Sequence, residues 1–440
     1  MWRSTRKKQA RRGIALDRAN TLRLYRFARV PNVGLAIAAG LILPAISPGP
    51  NAVIGQKNEE VKPFEYHAPQ NALDDLKQRL AQTRWPERET ANDWSEGVPR
   101  EKMRALIHYW QTAYDWRQCE KQLNRFPQFR TQIDGLGIHF IHVRSKNPNA
   151  LPIILTHGWP STVLLFRDVI EPLTNPTANG GKAEDAFDVV IPSLPGFAFS
   201  DKNAERAAQA WATLMSRLGY KRYVAQGGDW GAFITTAMAQ QRAPGLVAIH
   251  LNFPQVIPDR LPVQLSPDQQ HAMEVLNRFR SEGSGYLTIQ ATRPQTIGYA
   301  LMDSPAGQAA WIYDIYNAGT GNLGDPEKAI TRDKILDEIT LYWLTGTAAA
   351  SARLYYEQRA LLGKSKNPGR VDMPVGVSLF PHDLPAPRSW AKDVYPNLFY
   401  WNELDQGGHF ASLEKPDLFV EELGTCFRKV RQTDHSEPIP

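Results

Sequence analysis

The spacing of apolar residues changes character along the chain. After Phe64 it is helical: "NALDDLKQRLAQTRWP" sets Leu73, Leu76 and Leu80 on one face, with Asn71 as the expected cap, Asp74 in the first turn and Trp85-Pro86 as the stop. "EKMRALIHYWQTAYDW" does the same with Met103, Leu106, Ile107 and Trp110. Two amphipathic helices are predicted, with no convergent polar groups, so packing is their expected role. The period then falls to two. "FRTQIDGLGIHFIHVRS" places Asp134-Gly135 between two short alternating runs, a hairpin signal. Four nearly continuous apolar runs follow, "LPIILTHGWP", "FDVVIPSLPGF", "KRYVAQGGDWG" and "LVAIHLNFP", separated by helical stretches such as "ERAAQAWATLMSRLG" and "AFITTAMAQQRA". Strands apolar on both faces and alternating with helices predict an α/β core with a mostly parallel, doubly covered sheet.

Between about Pro258 and Asn367 the strand signals fade and helical ones dominate, and then "MPVGVSLF", "PNLFYWNEL" and a closing helix, "PDLFVEELGTCFRKV", resume the core pattern. The expected organisation is a leader over 1–58, a small helical unit over 59–132, a core in two parts over 133–257 and 371–433, a helical cap over 258–370, and a tail over 434–440.

Charge changes the picture only at the N-terminus. The net charge of +6 invites a nucleic-acid reading, but the first 30 residues hold ten Lys/Arg and one acid, leaving 41 basic against 44 acidic residues. The folded body is slightly acidic, which gives polyanion binding no electrostatic support. "VGLAIAAGLILPAI", residues 33–46, follows the basic head. It is shorter than the roughly 20 residues of a spanning helix and fits the apolar region of a signal peptide better. Export is the favoured expectation, against a tilted membrane anchor or a wrongly assigned start codon. Membrane association through residues 33–46 and homo-oligomer formation are left open. The two cysteines, Cys119 and Cys426, match neither a disulfide framework nor a zinc site and are expected to be buried thiols.

The chemistry centres on "VAQGGDWGAF". A strand, then small-x-nucleophile-x-small, then a helix is a nucleophile elbow, in which Gly227 and Gly231 allow a tight turn that pushes Asp229 out over the sheet edge. The competing reading of Asp229 is a helix cap. In elbow enzymes the amide after the nucleophile and one from an earlier loop form the oxyanion hole; here these are the N–H groups of Trp230 and of Trp159 in "HGWP". His157 in that loop is expected to be structural. In the chain order nucleophile, acid, histidine, "GGHFASLEKP" offers His409 as general base and "LFPHDL" offers Asp383 to orient it, with Asp393, Glu403 and Asp405 nearby.

A carboxylate nucleophile restricts the reaction. Attack on an ester or amide would give an anhydride, whereas attack on an sp³ carbon gives an alkyl ester that activated water can hydrolyse. Epoxides and haloalkanes are the two obvious electrophiles. An epoxide oxygen needs a proton donor; a halide needs N–H donors or ring edges.

"HGWPST", "PSLPGFAFSDK", "YVAQGGDWGAF", "GYLTIQATRPQTIGYALMDSPAGQAAWI", "LYWLTGTAAASARLYYE", "LFPHDL" and "GGHFASLEKP" together resemble epoxide hydrolases of the microsomal type, and "PFEYHAPQNALDDLKQRLAQTRWP" resembles their N-terminal domain. The resemblance covers about residues 62–430. It implies an α/β-hydrolase core with a helical cap, no metal or organic cofactor, an apolar epoxide and water as substrates, and a role in detoxification or aromatic-hydrocarbon catabolism. It also implies two cap tyrosines as acids, Tyr286 in "GYLTIQ" and Tyr355 in "SARLYYE", with Tyr356 the neighbouring alternative. One departure is the short connection "DKNAERAAQA" between Ser200 and Trp211, where the family has a longer one. The rival readings are a haloalkane dehalogenase, which typically has Asn where Trp159 stands, and a non-catalytic relative, which usually lacks a triad member.

Overall fold

Among the described residues nine strands form the central sheet: β1 (Lys62–Phe64), β2 (Gln128–Ile133), β3 (Leu136–Val143), β4 (Leu151–Thr156), β5 (Phe187–Pro192), β6 (Tyr223–Gly227), β7 (Leu246–Leu251), β8 (Val375–Leu379) and β9 (Leu398–Glu403). Their order is β1-β2-β3-β5-β4-β6-β7-β8-β9. This is a computed structural model, which describes residues 60–201, 207–254, 256–258, 260–322, 324–359 and 369–432. The leader with its apolar segment, residues 202–206 of the short connection after Ser200 and the tail lie outside the described residues. Among those described, no helix is long and apolar enough to cross a membrane.

Strands β5, β4, β6, β7, β8 and β9 run parallel, and β1, β2 and β3 add antiparallel neighbours at one edge. The apolar runs account for the parallel part: Ile153, Ile154, Val189, Val190, Val224 and Ala225 are completely buried, as strands covered on both faces require. The predicted hairpin is present. Asp134 and Gly135 take φ of 51° and 82°, joining β2 to β3 with Ile133 opposite Leu136. β2 itself runs across the expected boundary at 132/133.

The N-terminal helices are Gln70–Ala81 and Arg100–Thr112, each burying its predicted apolar face. Asn71 is not the cap: Pro69 occupies that position with φ −58°, and the helix ends at Ala81, well before Trp85-Pro86. A further helix, Trp116–Asn124, starts where the Asp115 side chain accepts from Arg117 N at 3.0 Å. These helices also do more than pack. Tyr109 Oη donates to Asp333 Oδ1 at 2.8 Å and Tyr114 Oη to Asp337 Oδ1 at 2.6 Å, while Arg79 reaches Asp303 O at 3.1 Å. All three acceptors belong to the cap, so the N-terminal region clamps it to the core. Cys119 and Cys426 are both free and buried.

The cap is inserted between β7 and β8 as helices Pro267–Arg278, Gly285–Thr292, Pro294–Asp303, Pro305–Gly319, Arg332–Thr345 and Ala348–Glu357. Ser266 and Gln269 close a capping box at its entry. Opposite it, β4 and β6 end level, Thr156 beside Gly227, and Gly227 also pairs with Leu251 of β7. The segments leaving these three strands therefore converge at one edge of the sheet, where open α/β sheets place their sites.

Candidate active site

Asp229 sits between β6 and helix Trp230–Gln240 with φ 48° and ψ −128°, a conformation costly for any residue but glycine. The turn is that sharp because the backbone closes on itself. A Cβ on Gly227 would stand 2.1 Å from Gly231 O, and one on Gly231 would stand 1.9 Å from Thr156 O. Hydrogen alone fits at either position. The Asp229 side chain makes no capping hydrogen bond to its own helix. Instead Oδ1 accepts from Trp159 N at 2.8 Å, across from the loop after β4. The Trp230 N–H opens the helix beside it and has no acceptor within that helix.

His409 follows β9, and its imidazole lies between two carboxylates: Nδ1 is 3.0 Å from Asp383 Oδ1 and Nε2 is 3.5 Å from Asp229 Oδ2. Burial alone would push its pKa down, but the charges of Asp383 and Asp229 outweigh it and raise the value well above the ordinary range. Asp383 Oδ1 also accepts from Leu384 N at 2.7 Å, while Oδ2 is buried and has no partner. Asp393, Glu403 and Asp405 are all exposed, so Asp383 is the carboxylate brought to the histidine.

Two cap tyrosines close the site from above. Tyr286, at the start of helix Gly285–Thr292, stacks on Trp159 with centroids 5.2 Å apart and planes 14° from parallel. Tyr355, in helix Ala348–Glu357, stands edge-on to Trp230 at 4.9 Å and 90°, and its centroid is 6.1 Å from that of Tyr286. Burial and the nearby Asp229 charge raise both phenols, which stay protonated at neutral pH. Tyr355 is 2% exposed and Tyr356 is 41% exposed, its ring covered by the Arg359 guanidinium at 4.0 Å. The site-facing member of the pair is therefore Tyr355.

His157 is fully buried beneath the loop. Its Nδ1 donates to Gly158 O at 3.0 Å and its Nε2 accepts from Leu194 N at 3.2 Å, while burial pulls its pKa down to about 4. It braces the loop as a neutral ring. At the described end of the short connection, Asp201 accepts from Arg130 at 3.0 Å and from Gly137 N at 2.7 Å. Among the described residues no group of three or more His, Cys, Asp or Glu side chains is placed to hold a metal ion.

Sequence reasoning missed Gln226 and Asn252. Gln226 Nε2 donates to Asn252 Oδ1 at 2.8 Å, and both line a small cavity with Asp229 and His409. The available signal was an amide near the end of an apolar strand, three residues before the nucleophile.

The sheet order, the elbow and the acid and histidine on the strands that follow define an α/β-hydrolase fold, and residues 152–257 match the family described as alpha/beta hydrolase fold. Residues 61–166 match the epoxide hydrolase N terminus. The chain belongs to the epoxide hydrolase family: it is 33% identical to epoxide hydrolase 1 of Sus scrofa, over 83% of this chain and 88% of that protein. It is also 58% identical to a provisionally named epoxide hydrolase of Stigmatella aurantiaca, over 84% and 86% of the two chains. The juvenile hormone epoxide hydrolase structure from Bombyx mori superposes with a TM-score of 0.77 at 30% identity, covering 88% of this chain and 98% of that one.

Proposed function

We propose that this epoxide hydrolase works through a covalent ester on Asp229. The reading rests on one observation above all: Asp229 Oδ1 is held by Trp159 N while Oδ2 stands 3.5 Å from His409 Nε2. In that arrangement Asp229 attacks an epoxide carbon, and Tyr286 and Tyr355 donate hydrogen bonds and then a proton to the departing oxygen. His409, oriented by Asp383, then takes a proton from water. The resulting hydroxide attacks the ester carbonyl, whose developing charge is received by the Trp159 and Trp230 amides. Collapse of the intermediate expels the vicinal diol's oxygen, which takes the proton from His409, and the proton left on the Asp229 carboxyl returns to the tyrosinate, restoring both groups.

The rings of Trp159, Trp230, Tyr286, Tyr355 and Phe253 surround the reacting groups and favour an apolar, aryl or alkyl epoxide. A diol product of that kind fits detoxification or aromatic-hydrocarbon catabolism. A single turnover of styrene oxide in H₂¹⁸O with enzyme in excess tests the covalent route. The first diol should carry ordinary oxygen, with label appearing in the peptide that contains Asp229. Label in the first diol would mean direct attack by water.

A further inference from the structure

Gln226 is the one strongly polar side chain of β6, in the company of Tyr223, Val224 and Ala225, and it is 1% exposed. Its amide is fixed from one side. Nε2 donates to Asn252 Oδ1 at 2.8 Å, which turns Oε1 the other way, and that oxygen is buried with no protein partner. Leaving a buried amide oxygen unpaired costs about 1–3 kcal/mol, so the position calls for a donor. Gln226 lines a cavity of about 20 Å³ open to water centres, and Gly228, Asp229, Asn252 and His409 line it too. That is room for about one water molecule. Asn252 is itself pressed against the elbow, its Oδ1 2.6 Å from where a Cβ on Gly228 would lie. The Gln226–Asn252 pair is thus fixed relative to the nucleophile's own backbone.

We propose that Gln226 holds the water that hydrolyses the ester, an assignment that rests on the covalent reading of Asp229. The water gives one hydrogen bond to Gln226 Oε1 and the other to His409 Nε2, which directs its oxygen lone pair towards the Asp229 carbonyl carbon. His409 removes a proton as the new carbon–oxygen bond forms. The tetrahedral intermediate then expels the diol oxygen, which takes the proton back from His409, and the proton left on the Asp229 carboxyl returns to the tyrosinate formed in ring opening. Gln226 has no part in ring opening, because that step involves no water.

The two half-reactions separate this role from a structural one. In Gln226→Met, similar in length but lacking the acceptor, stopped-flow tryptophan fluorescence with styrene oxide should give alkylation within twofold of wild type. Ester hydrolysis should be about tenfold slower, matching loss of one ordinary hydrogen bond. Intact-protein mass spectrometry should show the adduct accumulating. Hydrolysis within twofold of wild type, or both steps falling together, would overturn the assignment. If the variant does not fold, a high-resolution crystal structure of the wild-type enzyme decides. A water bonded to both Gln226 Oε1 and His409 Nε2 supports the role, and an Oε1 paired with any other group removes it. Failure of the wild type to form any adduct would instead sink the covalent reading of Asp229.

Discussion

His409 Nε2 stands 3.5 Å from Asp229 Oδ2, so the proposed base is electrostatically coupled to the proposed nucleophile. Asp383 and Asp229 both raise the imidazole pKa against the opposing effect of burial. Alkylation turns Asp229 into a neutral ester and removes one of those charges. The His409 pKa must then fall, and the imidazole becomes a free base when water has to be activated. Asp229→Asn mimics this loss of charge. NMR titration of His409 should give a lower pKa in that variant than in wild type. An unchanged or higher value would show that Asp229 does not govern the protonation of His409.

Tyr286 and Tyr355 rest against Trp159 and Trp230, which makes the indole fluorescence a reporter of ring opening. Tyr286→Phe and Tyr355→Phe should each slow alkylation about 10- to 100-fold, and the double variant should be nearly inactive, in keeping with contributions of about 10²–10⁴ from positioned acids. Tyr356→Phe should change nothing, since that ring faces solvent. Stopped-flow measurements on the four variants check the assignment, and normal alkylation in the double variant would rule these phenols out as the acids.

Glu338, in the cap helix Arg332–Thr345, is fully buried and accepts from Thr162 Oγ1 at 2.7 Å, just beyond the loop that carries Trp159. Its other oxygen has no partner, and burial raises its pKa from 4.5 to about 7. The native state therefore holds this proton more tightly than the unfolded chain. Stability contributed by the site is full below pH 4.5 and declines up to about pH 7, a loss of up to about 3 kcal/mol. Glu338→Gln cannot ionise. It should match wild type in urea unfolding near pH 4.5 and exceed it at pH 8. A wild type that loses no stability relative to Glu338→Gln across that interval would contradict the raised pKa.

Much of this protein was written locally. Continuous apolar runs, the Asp134-Gly135 turn and the two glycines around Asp229 each depend on a few neighbouring residues, so they set the parallel sheet, the hairpin and the elbow before any tertiary contact is known. Chain order similarly singled out His409 and Asp383, because the motifs after the last two strands fall at the same sheet edge as the elbow. What spacing could not supply was whatever depends on a distant surface. β1 has three residues and exists through its pairing with β2; helix Trp116–Asn124 is short and polar, and is held by the cluster into which Trp116 and Leu123 sink. Tyr355 and Tyr356 are equivalent as letters, and they part only because one residue is about 100° of rotation on a helix. Asn71 looked like a cap, yet Pro69 began the helix first. The Gln226–Asn252 pair joins a residue of β6 to the one just after β7, 26 positions away. Its meaning arises only when β6 and β7 lie side by side, where burial forces the last amide oxygen to find its partner in the cavity beside the nucleophile.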